Sequence, residues 1–247
     1  MQLLVASDLH YTLPQLDWIL AQAPEFDAVV LAGDHLDLSS SVPLESQIVV
    51  IRTYLEKMAA VTDVIACSGN HDLTARNSHD EKSAPWIETA DEVGAHVDWG
   101  RLDRGDVRVT ICPWWDGPAT RADVDAQFDK DAVDRPPVWI WVYHYPPDES
   151  PVSWIGKRHI GDKDLNAWID KHQPDLVLTG HIHDSPFKEG GDWVGRIGET
   201  WVMNAGRQMG PLPAHVVVDT DAGSAEWFSF ERQGTEQLWP PRVPAGA

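Results

Sequence analysis

The chain has 247 residues, 43% hydrophobic and 23% charged, the proportions of a folded globular protein rather than a disordered one. Against 19 basic side chains stand 39 acidic ones, a formal charge of −20, which repels nucleic-acid backbones and anionic membranes and argues against a large nucleic-acid footprint. Only Cys67 and Cys112 are cysteines, too few for a disulfide framework in a domain of this size, and no apolar run reaches the roughly 20 residues of a membrane-spanning helix.

In chain order, Leu3 to Ala6 reads as a buried strand ending at Ser7-Asp8-Leu9-His10. The start lacks the basic residues and the longer apolar stretch of a secretory leader, so a cytoplasmic location is expected. Pro14 to Ala23 has helical spacing with proline at its start, and Ala28 to Ala32 is a second buried strand ending at Gly33-Asp34. Leu44 to Ala60 reads as a helix, and Val64 to Ala66 as a strand ending at Ser68-Gly69-Asn70-His71-Asp72. Val107 to Cys112 is a strand followed by Pro113-Trp114-Trp115, and Ala122 to Val133 is helical. Val138 to Tyr143 ends at His144, Asp164 to His172 is helical, and Leu176 to Leu178 ends at Gly180-His181-Ile182-His183. Beyond Trp193 come strand-like pieces without long helices, at 199–203, 215–218 and 226–230, which suggests an antiparallel half or a second sheet. Residues 1–238 are expected to form one domain, and 239–247, rich in Pro, Gly and Ala, an extended tail.

This alternation predicts a layered α/β fold. Each strand ends in a short loop rich in Asp, Asn and His, and ligands of open α/β sheets bind beyond the carboxyl ends of the strands. Asp8 and His10, two residues apart, project to one side of an extended loop. Gly33 lets the backbone turn sharply before Asp34, whose carboxylate has two oxygens and can bridge two cations. Asn70 offers a neutral amide oxygen, and His144, His181 and His183 add imidazoles. Such Asp, Asn and His donors suit Mn, Fe, Co, Ni or Zn, and the lack of thiolates argues against a structural zinc finger.

Asp-x-His, Gly-Asp-x-x-Asp, Gly-Asn-His-Asp, a lone His and Gly-His-x-His follow one another here as Asp8 and His10; Gly33, Asp34 and Asp37; Gly69 to Asp72; His144; and Gly180, His181 and His183. This ordered set resembles the calcineurin-like metallophosphoesterases. The resemblance implies a four-layer αββα sandwich of two mixed sheets flanked by helices. It implies a first metal on Asp8, His10 and His183, a second on Asn70, His144 and His181, and Asp34 bridging both. Two cations roughly 3.5–4 Å apart clamp a phosphoryl group and lower the pKa of a shared water, which then attacks phosphorus in line. His71 would protonate the leaving group or contact the phosphate, and Asp37 would hydrogen-bond His71, a role open also to Asp72. Asn204-Ala205-Gly206 resembles a short Asn-Pro-Gly loop of the family.

The expected activity is hydrolysis of a phosphate mono- or diester, with a small-molecule or nucleotide substrate. The alternatives are a DNA-processing nuclease of the same family, disfavoured by the absence of a basic surface, a non-catalytic scaffold, and a hydrolase of another bond such as an amide. Leu38 follows Asp37 where phosphoprotein-cleaving relatives often carry Arg. Residues 73–83 read either as a lid that brings Arg76 to phosphate or as a solvated loop. Lys157 and Arg158 either attract an anionic substrate or form a surface patch. Trp114, Trp115 and Trp154 either stack on a ring or pack in the core, where Trp139 and Trp141 are expected. His35 is expected to pack or face solvent.

Overall fold

The computed structural model describes residues 1–241. Its strands and helices are β1 (Gln2–Ala6), α1 (Leu13–Gln22), β2 (Ala28–Ala32), α2 (Leu44–Ala59), β3 (Asp63–Cys67), β4 (Ala75–Arg76), β5 (Lys82–Ser83), α3 (Pro85–Glu88), β6 (His96–Val97) and β7 (Arg101–Arg104). They continue with β8 (Val107–Ile111), α4 (Pro118–Asp131), β9 (Val138–Val142), α5 (Lys163–His172), β10 (Leu176–Thr179), β11 (Val194–Ile197), β12 (Thr200–Asn204), β13 (His215–Asp219), β14 (Ser224–Phe228) and β15 (Gln233–Gln237).

The central strands are apolar throughout because both of their faces are covered. Along β1, Leu3 and Val5 enter one core while Leu4 and Ala6 enter another; along β9, Val138, Ile140 and Val142 alternate with Trp139 and Trp141. Leu3, Val5 and Val30 share a core with Val109, Ile140 and Leu178, which places two sheets face to face. A second core buries Leu16 and Ile19 of α1 and Ile51 and Leu55 of α2 against Val29 and Leu31. A third buries Val124 and Phe128 of α4 and Leu165 and Ile169 of α5 against Trp139 and Trp141. Three cores between four layers make an αββα sandwich.

Both sheets are mixed. The seven-stranded sheet runs β15-β14-β13-β1-β2-β3-β6, and the six-stranded sheet β11-β12-β10-β9-β8-β7. Parallel pairing joins β1, β2, β3 and β6 in the first and β8, β9, β10 and β12 in the second. The metal-loop strands therefore lie side by side in each sheet and discharge their loops at one end. From Trp193 on, the pairing is antiparallel, as expected, at every strand contact except that of β12 with β10. Strand β12 continues the second sheet in parallel, while β13 to β15 return to the first sheet as an antiparallel extension. Edge strands β7 and β15 carry polar, largely exposed residues, so the apolar periodicity that marked the inner strands is missing there.

Cys67 and Cys112 are buried free thiols. Trp239 packs against the inter-sheet core and donates from Nε1 to the Thr220 carbonyl at 3.1 Å, so the fold extends to the first residue of the expected tail. Residues 242–247 lie outside the described residues. Among the described residues, no helix is long and apolar enough to cross a membrane.

Candidate metal centre

Asp8, His10, Asp34 and His183 bring donor atoms within 4.8 Å of one another, as do Asp34, His144 and His181. Asp34 belongs to both groups. Its Oδ2 lies 3.7 Å from His10 Nε2 and 3.4 Å from His144 Nε2. Asn70 Oδ1 is 2.7 Å from His181 Nδ1, on the edge of the second group. All seven expected donors thus meet at one place.

The backbone that gathers them is strained. Asp8, His10, Tyr11, Asp34 and His181 have φ of 55°, 41°, 55°, 57° and 67°, in the left-handed region that non-glycine residues avoid. Asp8 and His10 therefore converge through a tight left-handed turn, not through the extended loop expected from their spacing. Gly33, at φ 87°, leaves room where a Cβ would run into the His144 ring. Gly180 does the same beside Ser7 and Asp8.

Hydrogen bonds lock the loops of the two sheets together. His144 Nδ1 faces the Ala32 carbonyl at 2.6 Å, which directs Nε2 into the site. Asp8 is fully buried and accepts from the Ser7 hydroxyl at 2.6 Å and from the His181 amide at 3.0 Å. Asn204 donates to the carbonyls of Gly180 and Ile182, both at 3.0 Å, and accepts from Gly206 N, which stabilises the Gly-His-x-His turn.

The donors fit a cation. His144 Nε2 is buried without a hydrogen-bond partner. The Nε2 atoms of His10 and His183 face each other at 3.1 Å, an approach that needs a proton or a cation between two lone pairs. Residues 1–185 match the calcineurin-like phosphoesterase family. The chain belongs to that family. The phosphoesterase fold is similar to that of TT1561 of Thermus thermophilus, at 15% identity and a TM-score of 0.60, covering 96% of this chain and 99% of that one. It is also similar to purple acid phosphatase PPD1 from yellow lupin seeds, at 14% identity and a TM-score of 0.58, covering 96% of this chain and 51% of that one. No curated protein matches the sequence.

Charge within the phosphoesterase site is sorted by burial. Burial alone would raise the Asp34 carboxyl, but the adjacent His144 outweighs it and holds Asp34 well below the usual carboxylate range. Burial opposes a low value at Asp8 too, and the hydrogen bond from His183 and the charge of His144 reverse it. Burial lowers His10 to about 4 against the pull of Asp34 and Asp8. Burial and then the charge of His144 lower His181 to about 4. Burial would lower His144 as well, but Asp34 and Asp8 prevail and raise it to about 9. His10 and His181 are thus neutral donors at neutral pH, and His144 must give up a proton to become one.

His71 stands outside both donor groups. Its amide donates to Asp34 Oδ1 at 2.8 Å, its Nε2 lies 3.9 Å from Asp34 Oδ2, and its ring packs edge-on to His10 at 4.5 Å. Neither expected partner holds its ring. Asp37 accepts from Ser39 Oγ at 2.6 Å and Ser39 N at 2.8 Å, because the backbone turn of residues 37–39 brings that hydroxyl closer than the imidazole. Asp72 is fully buried and accepts from the amides of Asp34, His35, Leu36 and Gly69, so it fastens the Gly-Asp loop to the Gly-Asn loop.

Trp114 lies 5.4 Å from the His181 ring and 5.8 Å from that of His144, and stacks on Tyr145 at 5.4 Å, forming an aromatic wall beside the second donor group. Tyr145 was not singled out in the sequence, although it directly follows His144, one of the expected donors. Trp115 donates to the Tyr143 hydroxyl at 2.6 Å, and Trp154 to the Glu189 carbonyl at 2.8 Å, so both indoles serve the framework. His35 is buried, with Nε2 3.0 Å from the Cys67 carbonyl. Residues 73–83 contain the β4–β5 hairpin, anchored where Lys82 N donates to Asp116 at 3.0 Å, and Arg76 pairs with Asp80 at 3.6 Å. Lys157 and Arg158 sit in an exposed turn closed by the Trp154–His159 bridge.

Proposed function

We propose that the chain is a metal-dependent phosphoesterase that hydrolyses phosphate mono- or diesters of small molecules or nucleotides at a two-ion centre. The observation that carries this reading is the Asp34 carboxylate, common to two donor groups drawn from both sheets. Asp8, His10 and His183 would hold one ion and Asn70, His144 and His181 the other. Bound divalent ions would supply Lewis-acid activation of water and neutralise charge on the phosphoryl oxygens. The chain's own residues do the rest. The fully buried Asp8 and almost fully buried Asp34 keep fixed negative charge under the site, where burial makes it effective. The Ala32 carbonyl and the Asn70 amide fix the faces that His144 and His181 present. His71 lies over the same carboxylate with 30% of its side chain exposed, a place suited to donating a proton to the leaving oxygen. Trp114 and Tyr145 offer a ring face to an aromatic substituent, which favours a nucleotide or similar ester.

The test is a hydrolysis screen with added Mn, Ni, Co or Zn against p-nitrophenyl phosphate and bis(p-nitrophenyl) phosphate. Chelator-sensitive turnover is expected, with Asp34→Asn losing it and His71→Ala keeping its bound metal while slowing esters of poor leaving groups. Purified protein that binds no divalent ion and turns over neither ester would mark a non-catalytic scaffold instead.

A further inference from the structure

Asp125 and Asp129 lie four residues apart on α4, so they share one helix face and repel each other unless a cation stands between them. That face meets the end of α5. Trp168 Nε1 and Lys171 Nζ reach Asp125 Oδ1 at 3.0 and 3.1 Å, and Lys171 Nζ lies 2.8 Å from Asp129 Oδ1. His172, the last residue of α5, completes the group: one of its ring nitrogens and a carboxylate oxygen from each aspartate lie within 4.8 Å of one another.

The imidazole separates this group from an ordinary surface ion pair. The His172 side chain is only 6% exposed, and its Nε2 is buried without a hydrogen-bond partner, as His144 Nε2 is in the metal centre. That nitrogen is aimed at Asp129 Oδ1, 3.5 Å away and beyond hydrogen-bond range. The rings of Phe128, Trp139 and Trp141 lie around the imidazole at 5.9, 6.0 and 6.0 Å and hold its orientation. Burial and then the charge of Lys171 keep His172 below the usual imidazole value against the pull of Asp129, so the ring is neutral at neutral pH. A buried nitrogen left unsatisfied is unfavourable. A spacing of 3.5 Å does match one edge of a tetrahedral zinc site, where bonds of about 2.0–2.2 Å set neighbouring donors roughly 3.4 Å apart.

We propose that Asp125, Asp129 and His172 form a separate site for a divalent transition-metal ion such as zinc, which pins α4 to α5. One imidazole and two carboxylates are donors that first-row divalent ions accept. Lys171 is the ion's competitor. Its ammonium holds the cation position between the two carboxylates, and its half-exposed side chain can turn out to solvent when a metal takes that place. The site is remote from the Asp34 centre, because His172 packs on Trp139 near the start of β9 while His144 follows the far end of that strand. Its role is structural, and it stands whether or not the chain turns over a phosphoester.

The experiment counts zinc bound per chain by atomic emission after equilibrium dialysis against buffered zinc, for the parent and four variants. His172→Gln should lose one zinc ion per chain. Asp129→Asn should lose the same ion, and with 56% of that side chain exposed the substitution leaves the fold intact. Asp34→Asn should keep the ion, which separates it from the metal centre. Lys171→Met removes the competing ammonium and should bind the ion about fivefold tighter, the worth of one exposed ion pair. An unchanged zinc count in either His172→Gln or Asp129→Asn, an Asp34→Asn chain that binds no zinc, or a Lys171→Met chain that binds it no tighter would overturn the site.

Discussion

Replacing Asp72 by Asn tests whether this carboxylate is a clasp between loops or a partner of His71. One of its oxygens accepts from Asp34 N at 2.9 Å and Gly69 N at 2.8 Å, and the other from His35 N at 3.0 Å and Leu36 N at 3.1 Å. An amide keeps one acceptor oxygen and turns its NH2 toward two of these four N–H groups. The cost is therefore two charge-assisted hydrogen bonds plus a buried donor-donor conflict, about 3–5 kcal/mol. For a chain of this length that corresponds to a melting temperature lowered by roughly 6–20 °C. Burial raises the Asp72 carboxyl against the pull of His35 and the amides, so the comparison belongs at pH 8, where ionisation is favoured. Unfolding followed by tryptophan fluorescence reads the shift directly. Asp37→Asn is the control, since its partly exposed carboxylate is bonded to Ser39 alone, and it should change stability by less than about 1 kcal/mol. An Asp72→Asn protein that melts within 2 °C of the parent, or above Asp37→Asn, would refute the clasp.

Burial pushes Asp98 up to about 7, against the hydrogen bond from Ser68. The folded chain therefore holds a proton there that the unfolded chain releases, and this group's stabilising contribution, full at acid pH, is lost as pH rises through about 7. That change is worth on the order of 4 kcal/mol. Asp98→Asn should gain stability relative to the parent between pH 5 and pH 8, and parallel pH profiles in denaturant titrations would contradict this. Because His144 is raised to about 9, divalent metal uptake at pH 7.5 should release a proton and tighten with pH. Calorimetry in buffers of different ionisation heat measures that proton, and His144→Gln should abolish it. Trp114→Ala should raise KM for nucleotide esters about tenfold while moving kcat for p-nitrophenyl phosphate less than threefold, because base stacking is worth about 1–3 kcal/mol. A kcat defect without a KM change would place Trp114 elsewhere in the reaction.

The seven expected donors could be picked out before any coordinate, because each lies in a short loop directly after an apolar strand, and strand and loop are both local patterns; that they converge is what the structure adds. The inner strands were legible for the same reason: burial on both faces leaves runs such as Val138 to Val142 with no polar interruption. Only tertiary structure decided how β12 joins β10, because parallel pairing is a contact between distant segments and leaves no local periodicity. It also decided the hydrogen-bond partners of Asp37 and Asp72. Whether a carboxylate turns toward His71, Ser39 or four amides depends on angstrom-scale backbone positions, and Asp72 reaches back 38 residues to Asp34.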